Sequence, residues 1–127
     1  MELGLSKILT TTFEETITKV TDELKKEGFG IITTIDFKNT VKEKLNKDFR
    51  KFTILGACNP QFAYDAVLID DKIGLLLPCN VMVQEKEGKT EVSIFNPALL
   101  TFFVTDEKLT KMSEELVERI KRILSNL

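Results

Sequence analysis

Residues 52–83 constrain the fold of this chain most strongly, because they hold two apolar β-strand patterns separated by a short helical pattern. The first strand, over 52–58, ends at Cys58-Asn59, and the second, over 74–84, contains Cys79-Asn80. Asn59 can cap the helix between them and Pro60 can begin it, since proline suits a first helical position. Any functional site is expected where the two Cys-Asn dipeptides meet.

The other segments alternate between strand and helix patterns. The predicted elements before this stretch are a β-prone run over 7–11, a helix capped at Thr12 and ended by Gly28, an alternating strand over 29–37 and a weaker helix from Asn39 to about Phe49. The predicted elements after it are a hairpin turn over 85–89, a strand over 90–95 and a long helix from a Thr105 cap to about Ser125. The short helix after Pro60 is expected to be largely buried.

This order of elements predicts an α+β fold in a single domain over residues 1–127. A largely antiparallel sheet would be covered on one face by the first and last helices, with two short inserted helices. A doubly wound parallel sheet is the competing topology, because the early part of the chain alternates strand and helix.

Composition excludes several classes of function. The chain has no histidine, so it cannot build Ser-His or Cys-His catalytic machinery by itself. Its net charge of −2 gives no broad basic surface, so nucleic acid is not an expected partner. No apolar run approaches about 20 residues and the N-terminus is too acidic for a signal peptide, so no membrane is expected and the location is expected to be cytoplasmic. There the two cysteines would be reduced.

The motifs ILGACNP and LLPCNV, together with ITTIDF and KNTVKEKL before them, resemble the family catalogued as domain of unknown function 302. The resemblance covers nearly the whole chain. It implies a compact α+β fold with an antiparallel sheet similar to that of TATA-binding-protein-like folds, a homodimer, and no established activity. The motif positions that it implies are Asp36, Lys44, Gly56, Cys58, Asn59, Pro60, Ala63, Leu77, Pro78, Cys79 and Asn80.

The two cysteines allow three interpretations. Each can be a small buried filler, which is how free cysteine usually behaves, and Cys79 lies in register with Leu75, Leu77 and Val81. They can instead be ligands to a metal or small molecule, or a redox or nucleophilic pair. Cys58 precedes a predicted helix N-terminus, where the positive end of the helix dipole would lower the pKa of a thiol.

The polar motif residues also have structural and functional interpretations. Asn59 can be a helix cap and Asn80 can tie a loop, or both can point into a pocket and orient a small polar or anionic ligand. Asp36 and Lys44 can be an exposed strand-end carboxylate and a solvated lysine, or an acid/base pair at a pocket mouth.

Three functions remain open from the sequence. The first is a small-ligand or metal-binding module with a site made of Cys58, Asn59, Pro60, Cys79 and Asn80, with Asp36 and Lys44 beside it. The second is a thiol-dependent enzyme or redox protein that uses Cys58 and Cys79. The third is a structural interaction domain in which an exposed sheet or the apolar segment ALLTFFV (98–104) would bind another chain. The cofactor is unknown in each case.

Overall fold

The computed structural model of the protein describes residues 2–127 and contains a five-stranded sheet in which all neighbouring strands are antiparallel. The strands are β1 (Gly4–Leu9), β2 (Gly30–Asp36), β3 (Phe52–Cys58), β4 (Cys79–Lys86) and β5 (Lys89–Phe95). They lie in the order β1-β5-β4-β3-β2, so β4 is central. The predicted α+β class is confirmed, and the parallel, doubly wound alternative is wrong because none of these strand pairs is parallel.

Helices α1 and α5 cover one face of the sheet, as predicted. The helices are α1 (Phe13–Lys26), α2 (Phe37–Leu45), α3 (Pro60–Ile69), α4 (Leu100–Phe103) and α5 (Glu107–Ser125), with 3-10 turns at Asp71–Leu76 and Pro97–Leu99. Val20 of α1 and Ile120 of α5 are fully buried in the core that they share with Val81, Val83 and Val92 of the sheet. One cluster of buried apolar residues therefore holds the helices to the sheet.

The opposite face of the sheet carries the alternate residues of every strand. One row across the five strands is Ser6, Ser93, Met82, Ile54 and Ile35. The neighbouring row is Gly4, Phe95, Asn80, Gly56 and Thr33. We call these two rows the outer sheet face. Helix α2 lies beside β2 and β3, where the rings of Phe37, Phe49 and Phe52 pack together.

Two predicted helix caps are confirmed and two are wrong. The hydroxyl of Thr12 accepts from the Glu15 amide at 3.1 Å, and Asn59 caps α3. Helix α2 is capped by Asp36 rather than by Asn39 and ends at Leu45, and α5 is capped by Asp106 rather than by Thr105. Aspartate is as good a cap as asparagine or threonine, and apolar spacing does not distinguish neighbouring candidates.

The predicted strand over 74–84 begins later than expected. Residues 71–76 form a 3-10 turn, which starts where the side chain of Asp70 accepts from the Lys72 amide at 2.9 Å. Leu75, predicted to be buried on a strand face, is 83% exposed. Pro78 has no N–H group to donate to a neighbouring strand, and β4 begins at the next residue. The apolar run is therefore shared between a turn and a strand, which the sequence does not separate.

Helix α3 is less buried than predicted, since only Phe62 and Ala66 are buried. Tyr64 and Leu68 are 64% and 66% exposed, although the helix is apolar on most of its surface. The hairpin prediction is confirmed: β4 and β5 are joined at Glu87-Gly88, both with positive φ, as a tight two-residue turn requires.

Candidate functional site

The two Cys-Asn segments lie side by side at one end of the sheet. β3 ends with Cys58 and β4 begins with Cys79, and Ala57 is the direct cross-strand partner of Cys79. Because β3 and β4 are antiparallel neighbours, the chain leaves the sheet after Cys58 and re-enters it at Cys79 at the same end of the strands. Helix α3 and the 3-10 turn fill the connection between them.

A cavity of about 240 Å³ lies between these segments. Its walls are mainly apolar and come from the ends of β2 and β3, the start of α3 and the residues that lead into β4. The lining residues are Ile32, Ala57, Cys58, Asn59, Phe62, Ala63, Leu77, Pro78 and Cys79. An apolar cavity of about 150 Å³ is enough to bind benzene, so this cavity has room for a somewhat larger organic molecule.

Gly56 allows one wall of the cavity to form. A Cβ atom at this position would collide with the hydroxyl of Thr33 and would lie 3.0 Å from Cγ of Pro78. Glycine within a strand often marks such a close approach. The missing side chain lets Pro78 pack over β3, and this contact holds the segment Leu77–Cys79 beside the cavity.

Asn59 supplies the only side-chain amide of the cavity lining. Its Oδ1 accepts from the Phe62 amide at 3.1 Å, which caps α3, as one interpretation of the sequence predicts. Its Nδ2 donates no hydrogen bond within residues 2–127. The side chain therefore fixes the helix with its oxygen, while its nitrogen lies next to Gly28, on the side of Asn59 that faces Arg119.

The two thiols differ in environment. Cys79 is 4% exposed and belongs to the inner face of the sheet, as the core interpretation predicts. Burial, with a smaller contribution from nearby Cys58, raises the pKa of Cys79 to about 11. Cys58 is half-buried, and both cysteines are free. At neutral pH Cys79 is therefore a protonated thiol, which is a poor nucleophile and a poor metal ligand.

Other predicted site residues lie outside the cavity lining. Asn80 is exposed on the outer sheet face, and Pro60 is exposed at the first position of α3. Asp36 caps α2 by accepting from the Asn39 amide at 3.0 Å, and Lys44 is exposed on that helix. Asp36 pairs with Thr53, five positions along β3 from Cys58, which is a separation of about 16 Å. The structure does not bring the Asp36–Lys44 pair to the cavity.

No residues suited to a common metal ion converge here. Within residues 2–127, no group of three or more Cys, Asp or Glu side chains is close enough to hold one. Of the two predicted kinds of ligand, the cavity walls fit a small organic molecule better than a metal ion.

A second, smaller crevice of about 140 Å³ lies on the other side of Asn59, between α3 and α5. Its charged groups already have partners: the Arg119 guanidinium donates to the Glu27 carbonyl at 3.0 Å and to the Glu115 carboxylate at 2.7 Å. The bond to Glu27 holds α5 to the end of α1, and the bond to Glu115 lies within α5. We therefore assign the crevice a structural role.

Sequence reasoning missed Ile32 as a cavity residue. Strict alternation places it on the polar side of its strand, but the pairing of β2 with β3 shifts register between Ile31 and Thr33. A bulge of this kind redirects the side chains that follow it. The signal in the sequence was an isoleucine at a position expected to be polar.

The comparisons with known proteins identify the family. The family model described as "Domain of unknown function DUF302" matches residues 5–127. The chain belongs to the DUF302 family. It is also similar to an uncharacterized conserved DUF302 protein from Bacillus stearothermophilus, whose crystal structure shares 27% identity and a TM-score of 0.90, over 99% of this chain and 98% of that one. No curated protein matches the chain. The resemblance of the ILGACNP and LLPCNV motifs to this family is thereby confirmed.

None of the helices within residues 2–127 is both long and apolar enough to cross a membrane.

Proposed function

We propose that this DUF302 protein is a binding module for a small, mainly apolar organic molecule. The observation that carries the proposal is the cavity of about 240 Å³ between the Cys58-Asn59-Pro60 and Pro78-Cys79-Asn80 segments. Residues Cys58, Asn59 and Cys79 border it directly. Pro60 supports the site from outside by beginning the helix that Asn59 caps, whereas Asn80 is exposed on the outer sheet face.

The lining defines the chemistry of the ligand. Ile32, Phe62, Ala63 and Leu77 offer apolar contacts, so removal of the ligand's own apolar surface from water would drive binding. Only the Asn59 amide and the thiols are polar, and Asn59 Nδ2 is the stronger donor. The ligand that fits best is a mainly apolar ring or short branched chain of indole size.

The thiol-enzyme alternative is less well supported by the same geometry. A resolving cysteine must be present as a thiolate or become one readily, whereas the raised pKa of Cys79 keeps it protonated near pH 7. The two cysteines are better explained as small, polarizable side chains that line an apolar cavity.

Ligand-observed NMR with a panel of benzene, toluene and indole tests this proposal. The wild-type protein is expected to bind at least one of them, and Ala63→Phe, which fills the cavity, is expected to lose that binding. Val67→Phe is the matched control, because Val67 is partly exposed on the same helix and does not line the cavity. Absence of binding to the wild type, or equal binding to Ala63→Phe, would refute the proposal.

We also propose that residues 1–127 form a single domain with a TATA-binding-protein-like sheet, and that the protein acts as a homodimer in the cytoplasm. The shared core of α1, α5 and all five strands supports the single domain. The antiparallel sheet with helices on one face supports the fold likeness, and two free cysteines suit a reducing compartment. The two uncharged rows of the outer sheet face support self-association.

A further inference from the structure

We infer that the cavity beside Cys58 captures an apolar α,β-unsaturated carbonyl compound through a bond to the Cys58 sulfur, which names a ligand class for the proposed binding function and rests on that function. Both thiols of the chain border this one apolar cavity of about 240 Å³. A ligand held there is therefore in contact with sulfur as well as with hydrocarbon.

The thiols are the reactive groups of the cavity wall. Six of the nine lining residues have apolar side chains. The Asn59 side chain accepts from the Phe62 amide through its oxygen, and its nitrogen lies next to Gly28. Among the described residues that line the cavity, none has a carboxylate, an amine, a guanidinium or a phenol. A reaction in this cavity has to use sulfur as the nucleophile.

Cys58 is the thiol that suits this role. It is half-buried, so that its sulfur is reached from solvent, and it borders the cavity at the end of β3. Cysteine is intrinsically very nucleophilic, even without an adjacent base. A carbon electrophile inside the cavity would lie against this sulfur.

Cys79 provides a second and independent indication of a ligand. Its thiol is 4% exposed, borders the same cavity and has no hydrogen-bond partner in the described part of the chain. Burial raises its pKa to about 11, so it keeps its proton at neutral pH and is a weak hydrogen-bond donor. A buried donor without a partner on a cavity wall suits a ligand that carries an acceptor.

The two thiols together define the class of ligand. Ala57 is the cross-strand partner of Cys79, so Cys58 and Cys79 lie on neighbouring strands, one residue out of direct register. A ligand that uses both needs an electrophilic carbon for Cys58 and an acceptor oxygen close to that carbon for Cys79. An α,β-unsaturated ketone or aldehyde has both, since its β-carbon and its carbonyl oxygen are the two ends of one conjugated system.

The reaction is a conjugate addition and needs no oxidant or reductant. The Cys58 S–H gives its proton to water, and the sulfur electron pair forms a bond to the β-carbon. The π pair of the C=C bond moves towards the carbonyl group to give an enolate, which takes a proton from water at its α-carbon. Because the described lining has no base to remove this proton again, the product is a lasting thioether, and the chain captures the compound without turnover.

Two matched maleimides test the inference on the full chain. N-ethylmaleimide and maleimidoacetate share the same reacting ring and differ in having an ethyl or a charged carboxymethyl group. The rate of each with Cys58, from intact-mass spectrometry, is divided by its rate with β-mercaptoethanol to remove differences in intrinsic reactivity. Because a carboxylate is costly to bury in an apolar cavity, the normalised rate of N-ethylmaleimide is expected to be at least about tenfold higher.

Two variants and a competitor show whether the preference comes from the cavity. Ala63→Phe fills the cavity and is expected to bring the two normalised rates together. Val67→Phe, on the same helix but outside the lining, is expected to keep the preference. A benzene, toluene or indole fragment that binds the wild type is expected to slow N-ethylmaleimide in proportion to its occupancy. Peptide mapping is expected to find the adduct at Cys58 and not at Cys79.

Equal normalised rates in the wild type, or a preference that survives in Ala63→Phe, would overturn the inference. If the fragments bind in the NMR experiment while the two rates are equal, the binding function stands and the covalent capture is wrong. If no fragment binds and the rates are equal, both are wrong. If Ala63→Phe fails to fold, competition by the bound fragment decides on the wild type alone, and a rate that the fragment does not slow would contradict capture in the cavity.

Discussion

The same dipeptide occurs at the end of β3 and at the start of β4, with opposite results. In Cys58-Asn59 the thiol is half-buried and the amide side chain caps a helix and borders the cavity. In Cys79-Asn80 the thiol is buried in the core and the amide is exposed on the outer sheet face. Position relative to the strand explains the difference: Asn59 has left the ladder, whereas Asn80 still alternates within it.

The largest expected loss of stability comes from a substitution at Gly56, where Pro78 packs against β3. Gly56→Ala introduces a Cβ that collides with Thr33 and approaches Pro78, so we expect the free energy of unfolding to fall by about 3 kcal/mol. Gly30→Ala on the neighbouring strand is the control, because no atom lies within 4 Å of its added Cβ. Urea unfolding measures both. Equal, small losses would show that the close approach at Gly56 does not hold the cavity wall.

The buried thiol of Cys79 predicts that the free energy of unfolding depends on pH in the alkaline range. Burial raises the pKa of Cys79 from 9.0 to about 11. Below pH 9 both states keep the proton, but between pH 9 and pH 11 only the unfolded chain loses it, so the free energy of unfolding falls as pH rises. The full loss is at most about 2.7 kcal/mol.

Urea unfolding of the wild type, Cys79→Ala and Cys58→Ala across this pH interval measures the effect. The alkaline loss of stability is expected to become smaller in Cys79→Ala and to persist in Cys58→Ala. An identical pH dependence in all three proteins would contradict the burial of the Cys79 thiol.

Thiol labelling compares the accessibility of Cys58 and Cys79 in the native protein, without denaturant. Cys58 is partly accessible, so it is expected to react with a disulfide reagent such as DTNB at least about a hundredfold faster than Cys79, which requires local or global opening. Mass spectrometry of partially labelled protein identifies the residue modified first. Simultaneous labelling of both cysteines in the native protein would remove the distinction between them.

The smallest expected changes in stability are those of alanine substitutions at Asn59 and Asn80. Asn59→Ala removes a helix cap and is expected to cost about 1 kcal/mol of stability, together with binding of the indole-sized probe. Asn80→Ala changes an exposed side chain and is expected to cost less than about 0.5 kcal/mol without affecting that binding. Thermal melts and fragment-binding NMR read out the two variants. If Asn80→Ala lost binding and Asn59→Ala did not, Asn80 rather than Asn59 would belong to the binding site.

Local patterns predicted most of the fold. The helical spacing from Phe13 to Leu24, the Asn59-Pro60 start of α3 and the hairpin at Gly88 all depend on neighbouring residues, and all are confirmed. Helix caps at Asn39 and Thr105 were wrong because Asp36 and Asp106 compete with them locally.

The cavity could not be predicted from the sequence alone. The two Cys-Asn segments could be expected to meet, but a free space between them depends on the bulge at Ile32, the approach of Pro78 to Gly56 and the depth of Phe62. Asp36 and Lys44 were grouped with the site by family resemblance, whereas strand register places Asp36 at the far end of β3. Register, bulges and packing distances are properties of the folded chain.

The most direct test of the cavity is a crystal structure of the protein pressurised with xenon. Xenon enters apolar cavities of this size and is visible in electron density. A peak among Ala57, Phe62 and Leu77, absent from Ala63→Phe, is the expected result. A cavity closed by repacked side chains, or filled by ordered water, would contradict an apolar binding site between the two Cys-Asn segments.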